Sequence, residues 1–367
     1  MADQPSFKKL HEISEMLRSW NEVDGVRAIA AECGDLEGAV WSSYVGHDDA
    51  KKTVPVDNRS RFLIASPTKP IVATAAMMLV EQGEICVSDH VSKYIHEFGS
   101  GEKADIRIAH LLTHTSGLPD MLPNNEQLRR QHAPLTEYQR ETNRVELVYA
   151  PGTRVHYQST GILTLSTIIE FVSGQNTRDF LEANLFSRLG MSATELGTTD
   201  DVLNSERPPV ASMVEELEGH DQWGWNSVYW RKLGAPWGGL IANVEDLGTF
   251  CRQLLQIHAG HSGLISNSTL KSMTTNQLAT FPKLRPGSSA SVPWGYGWQL
   301  NWPNHPRGFG SVLSQRAYGH WGATGTLVWI DPEALIYGVI LTNEPMGMEN
   351  RRPMGFANSC RAAFRST

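Results

Sequence analysis

The segment Ser66–Gly83 reads SPTKPIVATAAMMLVEQG and predicts a helix that is buried on every side. Ile71–Val80 is apolar or small all round, a pattern typical of a helix without a solvent-facing side. Gly83 supplies a stop signal just beyond it. Pro67 suits the first helical position, whereas Pro70 would break the first regular helical hydrogen bond. We therefore expect a buried helix with an irregular opening turn.

Ser66 and Lys69 stand at the start of this helix, three positions apart. Residues with that spacing face the same side of a helix, so the two side chains can meet. A serine hydroxyl is a weak nucleophile that needs a base, and a lysine becomes a base when burial lowers its pKa. The helix N-terminus adds a positive field that favours a developing oxyanion. The pair predicts a nucleophile and its base; the alternative is a helix-capping serine beside a solvated lysine.

Tyr157 is a second candidate, and it lies just before a helix predicted to start near Gly161. A tyrosine beside a lysine can be held partly as phenolate and can shuttle the proton of the nucleophile. The alternative is a tyrosine whose ring packs in the core with its hydroxyl at the surface.

His320-Trp321-Gly322 is the third candidate and lies inside a strand-like run. Gly322 would let a ligand approach the strand backbone closely. The backbone N–H groups of Ala323 and of the serine nucleophile would then form an oxyanion hole. Trp321 should point away from the site if His320 points into it, because side chains alternate along a strand. The alternative for His320 is a satisfied core or edge histidine.

Strand-like runs lie at both ends of the chain. Val26–Cys33 and Gly38–Val45 flank Gly34-Asp35, which predicts a hairpin turn there. Near the other end, Arg316–Ile330 and Ala334–Asn343 are joined through Asp331-Pro332, another turn signal. Between these regions helical patterns dominate, at Ile106–Thr113, Gly161–Val172, Thr177–Leu185 and Val244–Ile257.

This distribution predicts an α/β (α+β) fold. We expect one antiparallel sheet built from both chain ends and flanked by terminal helices, at about residues 5–20 and around Phe356–Phe364. Residues 1–75 and 230–367 would form this discontinuous sheet domain, and residues 76–229 an inserted all-α domain. The active site would lie in the cleft between the two.

Composition narrows the class of protein. The 367 residues are 40% hydrophobic and 19% charged, with a net charge of −7, which is ordinary for a globular protein. No long Lys/Arg run favours a nucleic-acid or anionic-membrane partner, and no apolar run approaches the roughly 18 residues of a membrane span. The N-terminal stretch lacks the apolar region of a secretory signal, and the four cysteines form no Cys-x-x-Cys pair. We expect free thiols, a cytoplasmic location and no cofactor.

Two other features have competing explanations. His110 and His114 are four apart and could in principle bind a metal on one helical face, but no Glu follows in the His-Glu-x-x-His manner, so we expect no metal. Tryptophans cluster in Trp223–Trp237 and Trp294–Trp302. They could line an apolar acyl pocket, which we favour for the first group, or simply fill the core.

The motifs Ser66-x-x-Lys69, Tyr157-Gln158-Ser159 and His320-Trp321-Gly322, in this order, resemble the serine β-lactamase and penicillin-binding superfamily. The closer likeness is to the branch of class C β-lactamases, DD-peptidases and family VIII esterases. In that branch the second motif is Tyr-x-Asn and the third is Lys-Thr-Gly, His-x-Gly or Trp-x-Gly. The likeness runs from about Phe62 to Asn343 and includes His110–Leu118 (HLLTHTSGL), Trp237–Leu240 (WGGL) and Tyr296–Trp298 (YGW).

The resemblance implies a role for each matching residue. It makes Ser66 the nucleophile, Lys69 its base partner and Tyr157 the proton shuttle. His320 and Gly322 become the substrate-facing residues of the third motif, and the backbone N–H groups of Ser66 and Ala323 become the oxyanion donors. Ser159 stands where the branch has an Asn that generally contacts a substrate amide. His320 stands where its β-lactamases carry Lys, and an imidazole binds a carboxylate less strongly than a permanent cation. Both departures favour ester cleavage over β-lactam hydrolysis.

We therefore predict a serine hydrolase that forms an acyl-enzyme and acts on a small-molecule ester or amide, as a carboxylesterase for small or short-chain esters. The alternatives are a β-lactamase, a D-amino-acid peptidase or amidase, and a non-catalytic scaffold of penicillin-binding type. The scaffold could lose Ser66, Lys69 or Tyr157, yet all three are present. The physiological substrate and the oligomeric state stay open.

Overall fold

The computed structural model describes residues 5–199, 210–214, 220–284, 293–302, 308–345 and 351–364. Its main sheet contains β1 (Ala28–Asp35), β2 (Ala39–Gly46), β6 (Gln299–Leu300), β7 (Tyr318–Gly322), β8 (Thr326–Asp331) and β9 (Ile336–Thr342). The strand order is β2-β1-β9-β8-β7-β6, and each neighbouring pair is antiparallel. The first strand pairs with the last, from Ile29 opposite Thr342 to Asp35 opposite Ile336. The predicted antiparallel sheet built from both ends of the chain is confirmed.

The first hairpin turns later than the sequence predicted. Gly34 and Asp35 belong to β1, and the chain reverses at residues 36–38. The Asp35 carboxylate accepts the N–H of Glu37 at 2.9 Å, and Gly38 adopts a φ of +143°. The register shifts between Cys33 and Gly34, where β2 carries one extra residue, Val40, just after the turn. The prediction of a turn at Gly34-Asp35 was therefore wrong by two residues.

The run Arg316–Ile330 is two strands rather than one. β7 and β8 are joined by a three-residue turn at 323–325, in which Gly325 has a φ of +78°. The next turn follows Asp331, as predicted, because its carboxylate accepts the N–H groups of Glu333 and Ala334 at 3.2 Å each. The tight turn matters for function because it ends the strand that carries His320.

Helices cover the sheet and fill the middle of the chain. They are α1 (Phe7–Glu22), α2 (Thr68–Glu81), α3 (Ile108–Leu112), α4 (Asn125–Arg130), α5 (Leu135–Arg144), α6 (Thr160–Ser173), α7 (Thr177–Leu181), α8 (Ser187–Leu189), α9 (His220–Trp223), α10 (Val228–Leu233), α11 (Val244–His258), α12 (Asn267–Met273) and α13 (Arg351–Ala363). A π-helical turn at Glu182–Phe186 links α7 to α8. The six helices expected from the apolar spacing, and the buried helix α2, are all present.

Two apolar clusters hold these layers together. The outer one joins the terminal helices α1 and α13 to the sheet through residues such as Leu17 and Phe356, and it includes Trp321. The inner one joins the opposite face of the sheet to α11 and to the helices of the middle region, α2 and α6 among them. Helix α2 is buried from Thr68 to Leu79, so its single charged side chain there, Lys69, lies inside the protein.

A small second sheet fixes the position of the segment before α2. Its strands are β3 (Phe62–Leu63), β4 (Glu195–Leu196) and β5 (Leu240–Ala242), in the order β3-β5-β4. The chain leaves β3 directly towards Ser66, and it enters β5 directly from Trp237. Pairing of β3 with β5 therefore brings these two segments together.

Among the described residues, no helix is both long enough and apolar enough to cross a lipid bilayer.

Candidate active site

Ser66 and Lys69 meet at the start of α2. Lys69 Nζ lies 3.1 Å from Ser66 Oγ, and the serine side chain is partly exposed whereas the lysine is 1% exposed. The opening turn is irregular, as predicted, because Thr68 and Lys69 donate to carbonyls three residues back rather than four. Ala65, just before the serine, has a φ of +55°, a strained conformation for a residue with a side chain.

The environment of Lys69 favours its neutral form. Burial lowers its pKa to about 7, and the nearby negative charge of Asp120 opposes part of that shift. Lys69 Nζ also donates to the carbonyl oxygen of Trp237 at 2.7 Å, which anchors the amine without adding a charge. A neutral amine held beside a serine hydroxyl can accept its proton. The predicted lowering of the lysine pKa is confirmed.

Tyr157 joins the pair from the loop before α6. Its ring centroid lies 4.7 Å from Lys69 Nζ. Burial raises the pKa of the Tyr157 hydroxyl, although a hydrogen bond with the Ser66 side chain lowers it in part. The expectation of a partial phenolate is therefore wrong for the unliganded site, since desolvation outweighs the effect of the neighbours. Tyr157 is a neutral phenol that can donate a proton.

The segment around His114 holds Tyr157 in place. His114 Nδ1 accepts the backbone N–H of Gln158 at 3.2 Å, and its ring lies 4.7 Å from that of Tyr157. Ser116 Oγ donates to the Gln158 side chain at 2.6 Å. Trp294 closes the other side, with ring centroids 4.3 Å from His114 and 6.0 Å from Tyr157. The HLLTHTSGL motif therefore acts as the support for the second motif.

His320 is neutral and buried in the same cluster. Its ring lies 5.9 Å from Tyr157, and burial together with the Lys69 charge lowers its pKa to about 3. Nδ1 donates to the Trp321 carbonyl at 2.7 Å, so Nε2 is the unprotonated nitrogen, and no described residue offers it a hydrogen bond. Trp321 packs on the outer side of the sheet, 6.0 Å from Phe309, as the alternation predicted.

The turn after β7 lies against the serine segment. Thr324 Oγ1 donates to the Leu63 carbonyl at 2.8 Å, and Thr326 Oγ1 donates to the Ile64 carbonyl at 2.7 Å. A Cβ on Gly322 would lie 2.4 Å from the Ile64 carbonyl oxygen, so only glycine allows this approach. In the described parts of the chain, the N–H groups of Ser66 and Ala323 donate to no protein acceptor. They are free for a substrate oxygen.

Ser159 is bound to Asp120, a residue that the sequence analysis missed. The carboxylate oxygen Oδ1 of Asp120 accepts both the N–H and the hydroxyl of Ser159, each at 2.8 Å. The hydroxyl hydrogen is therefore committed, and Ser159 offers a substrate its oxygen lone pairs. Asp120 lies in a loop 39 residues earlier, and no periodic pattern marked it.

The tryptophans divide between the pocket and the core. Trp237 lines a small pocket beside Ser159 and Asp120. An acyl pocket formed by its group stays a prediction. Trp223 and Trp230 instead pack around Arg129. Trp294 contacts the rings of His114, Tyr157 and His320, a placement that the sequence did not specify.

The side chains of His110 and His114 both accept hydrogen bonds from backbone N–H groups. His110 Nδ1 accepts the N–H of Arg107 at 3.1 Å, and His114 Nδ1 is occupied by Gln158. Within the described ranges, no group of three or more His, Cys, Asp or Glu residues could hold a metal ion.

A serine, a buried lysine of lowered pKa and a tyrosine lie together beside two free backbone amides, an arrangement that can carry out acyl transfer. The chain is a serine hydrolase. It belongs to the Beta-lactamase family, whose sequence model matches residues 22–358. A relative from Escherichia coli K12, named provisionally as a D-alanyl-D-alanine carboxypeptidase, is 26% identical over 338 residues, covering 83% of this chain and 74% of the relative.

Solved structures agree on the fold. A penicillin-binding protein homologue from Caulobacter crescentus superimposes with a TM-score of 0.79 at 19% identity, covering 99% of both chains. A family VIII carboxylesterase superimposes with a TM-score of 0.76 at 19% identity, covering 98% of this chain and 99% of the other. At these identities the likeness establishes the architecture alone.

Proposed function

We propose that this serine hydrolase is a carboxylesterase that cleaves esters of small or short-chain acyl groups through an acyl-enzyme at Ser66. The observation that carries the proposal is the contact of 3.1 Å between Ser66 Oγ and the Nζ of a lysine whose pKa burial lowers to about 7. Such an amine is largely unprotonated just above neutral pH, so it can act as the general base.

In the first step, neutral Lys69 accepts the Ser66 hydroxyl proton as Oγ attacks the ester carbonyl. The carbonyl oxygen becomes an oxyanion bound by the N–H groups of Ser66 and Ala323. Tyr157 then donates its proton to the departing alkoxide and regains one from the Lys69 ammonium, which leaves the acyl group on Ser66. A water molecule attacks that acyl group, the same residues move its proton, and the acid leaves.

His320 supports esters over β-lactams. A β-lactam carries a carboxylate, and a carboxylate needs a positive charge or a hydrogen-bond donor. The unpaired nitrogen of the buried His320 ring, Nε2, is a neutral acceptor, because Nδ1–H is bound to the Trp321 carbonyl. Two acceptors facing each other repel, so this position disfavours a carboxylate. Neutral ester substrates avoid that conflict.

We also propose the substrate contacts, the domain arrangement and the location of the protein. Ser159, His320 and Gly322 would contact the substrate, and the site would lie between a sheet domain (1–75 and 230–367) and an inserted helical domain (76–229). We retain a cytoplasmic location as part of the proposal, because the four cysteines are free thiols, as expected in a reducing compartment.

The test compares wild type with Ser66→Ala on p-nitrophenyl butyrate and on nitrocefin. We expect wild type to hydrolyse the ester with a higher kcat/KM than nitrocefin, and Ser66→Ala to lose at least about a thousandfold on the ester. Ser192→Ala, a serine outside the site, is the control. Equal rates in wild type and Ser66→Ala would remove the nucleophile. Faster nitrocefin turnover would instead make the chain a β-lactamase.

A further inference from the structure

Two of the four free cysteines are buried in the same apolar layer, on the outer face of the main sheet. Cys33 lies in β1 and Cys360 in α13, and both side chains are fully buried. Cys33 alternates with Ile29 and Ala31, and all three belong to the outer apolar cluster. Cys360 follows Phe356 by one helical turn, and both belong to that cluster as well. The strand and the helix therefore direct the two thiols towards each other.

The neighbours of Cys33 place it beneath α13. Trp41 lies directly opposite Cys33 on β2, and the centroid of its ring lies 6.3 Å from that of Phe356. The Cβ atoms of residues four apart on a helix are about 5–6 Å apart, so Cys360 lies one turn from this ring contact. Burial raises the pKa of the Cys360 thiol well above its ordinary value, and the neighbouring Cys33 thiol raises it further. The two thiols are therefore neighbours, although they are far apart in the sequence.

The other two cysteines lie elsewhere. Cys251 is also fully buried, but it belongs to α11 and to the inner apolar cluster, on the opposite face of the sheet. Cys86 is exposed. These two residues supply a buried and an exposed thiol with which the pair can be compared.

We propose that Cys33 and Cys360 are a redox modification site: a small disulfide oxidant, such as oxidised glutathione, converts the pair to a disulfide that joins α13 to β1. The structure shows the reduced pair. A reducing compartment keeps it in that form, so the bond forms when the thiol pool becomes oxidised. The inference does not depend on the reaction at Ser66.

The oxidation proceeds by two thiol–disulfide exchanges. The Cys360 thiolate attacks one sulfur of oxidised glutathione, which forms a mixed disulfide and releases one glutathione thiolate. The Cys33 thiolate then attacks the Cys360 sulfur, which forms the protein disulfide and releases the second glutathione thiolate. Two protein thiols are oxidised, one glutathione disulfide is reduced to two thiols, and the two protons pass to the glutathione thiolates.

The oxidant reaches the pair through movement of α13. Strand β1 is hydrogen-bonded on both sides, to β2 and to β9, so Cys33 keeps its place. Helix α13 has a solvent-facing side, at Arg352 and Ala362, and packs on the sheet through its other side. A helix held by such packing opens locally more readily than a central strand. A brief opening exposes Cys360 to the oxidant, and reclosure brings the mixed disulfide to Cys33.

The experiment treats the full chain with oxidised glutathione at about pH 8.5, near the ordinary pKa of a thiol, in urea just below the unfolding transition. Remaining thiols are then blocked with N-ethylmaleimide, and the unreduced protein is digested and analysed by mass spectrometry. We expect one peptide pair that joins Cys33 to Cys360 and separates on reduction. Because a cross-link that closes a long loop destabilises the unfolded chain, the oxidised protein should unfold at a urea concentration higher by about 0.5 M or more.

Alanine variants show which thiols are needed. Cys33→Ala and Cys360→Ala should each lose both the peptide pair and the shift in unfolding. Cys251→Ala is the matched control, because it makes the same change at a fully buried thiol outside the pair, and it should keep both. Cys86→Ala should keep both as well, which excludes a cross-link through the exposed thiol.

Two results for the wild-type protein would overturn the proposal, and neither depends on a variant that folds. One is that all four thiols remain open to N-ethylmaleimide after denaturation. The other is that Cys33 or Cys360 stays as a mixed disulfide with glutathione, since the second exchange then fails. An oxidation-dependent shift that persists in Cys360→Ala would place the stabilisation elsewhere and would also contradict the proposal.

Discussion

The pH dependence of ester hydrolysis tests whether Lys69 acts as the base. An ordinary lysine pKa of 10.5 would leave about 1 in 3,000 molecules neutral at pH 7, whereas a pKa of about 7 leaves about half of them neutral. Only the neutral amine accepts the serine proton, so kcat/KM should fall as pH drops through about 7, reaching roughly a tenth of its plateau near pH 6. The substrate, p-nitrophenyl butyrate, has no titratable group.

The structure supplies a control and a second perturbation for this profile. Burial also lowers the pKa of Lys103, which donates to the Thr142 and Asn143 carbonyls outside the site, so Lys103→Met should leave the acid limb in place. Asp120→Asn removes a charge that raises the Lys69 pKa, so it should move the limb to lower pH. A kcat/KM that stays constant between about pH 5 and 8, or a limb near pH 10, would refute the assignment of Lys69.

Two further predictions concern stability and the turn beside the serine. Burial raises the pKa of Glu32 from 4.5 to about 7, so the free energy of unfolding falls as pH rises through that range. In urea unfolding at about pH 8, Glu32→Gln should raise the free energy of unfolding by up to about 3 kcal/mol. An unchanged free energy of unfolding would contradict the cost of burying this carboxylate. Gly322→Ala would place a methyl 2.4 Å from the Ile64 carbonyl oxygen and should lower kcat about a hundredfold. Gly355→Ala is the control, because a methyl there lies more than 4 Å from every described residue around it. A kcat of Gly322→Ala equal to that of the control would contradict the importance of this contact.

The parts of the site that depend on local geometry could be predicted from the sequence. Ser66 and Lys69 meet because a separation of three residues on a helix places them on one side, and the apolar residues after them imply burial. His320 and Trp321 alternate across a strand, which placed the first inside and the second outside. Each of these inferences needed only the repeat of a single helix or strand.

The parts that depend on tertiary contacts could not be predicted. Asp120 reaches Ser159 across 39 residues, and the Trp237 carbonyl reaches Lys69 across 168 residues. Because every residue has a backbone carbonyl, no residue type in the sequence could indicate this contact with Lys69. The protonation state of Tyr157 could not be predicted either, because the hydrogen bond with Ser66 lowers its pKa and desolvation raises it, and the two can be compared only once burial is known. The first hairpin turn lies later than predicted because Gly34 and Asp35 continue β1 and pair with Tyr337 and Ile336 of β9, a tertiary contact that no turn motif reveals.

The pairing of β1 with β9 has a consequence for biosynthesis. The Ala28 N–H donates to the side chain of Asn343, 315 residues away, so this strand pair forms only after β9 has left the ribosome. Closing so long a loop is slow, and until then β1 exposes apolar side chains that invite aggregation. The strand that carries His320 emerges in the same late stage. Truncated nascent chains should therefore be inactive and dependent on chaperones.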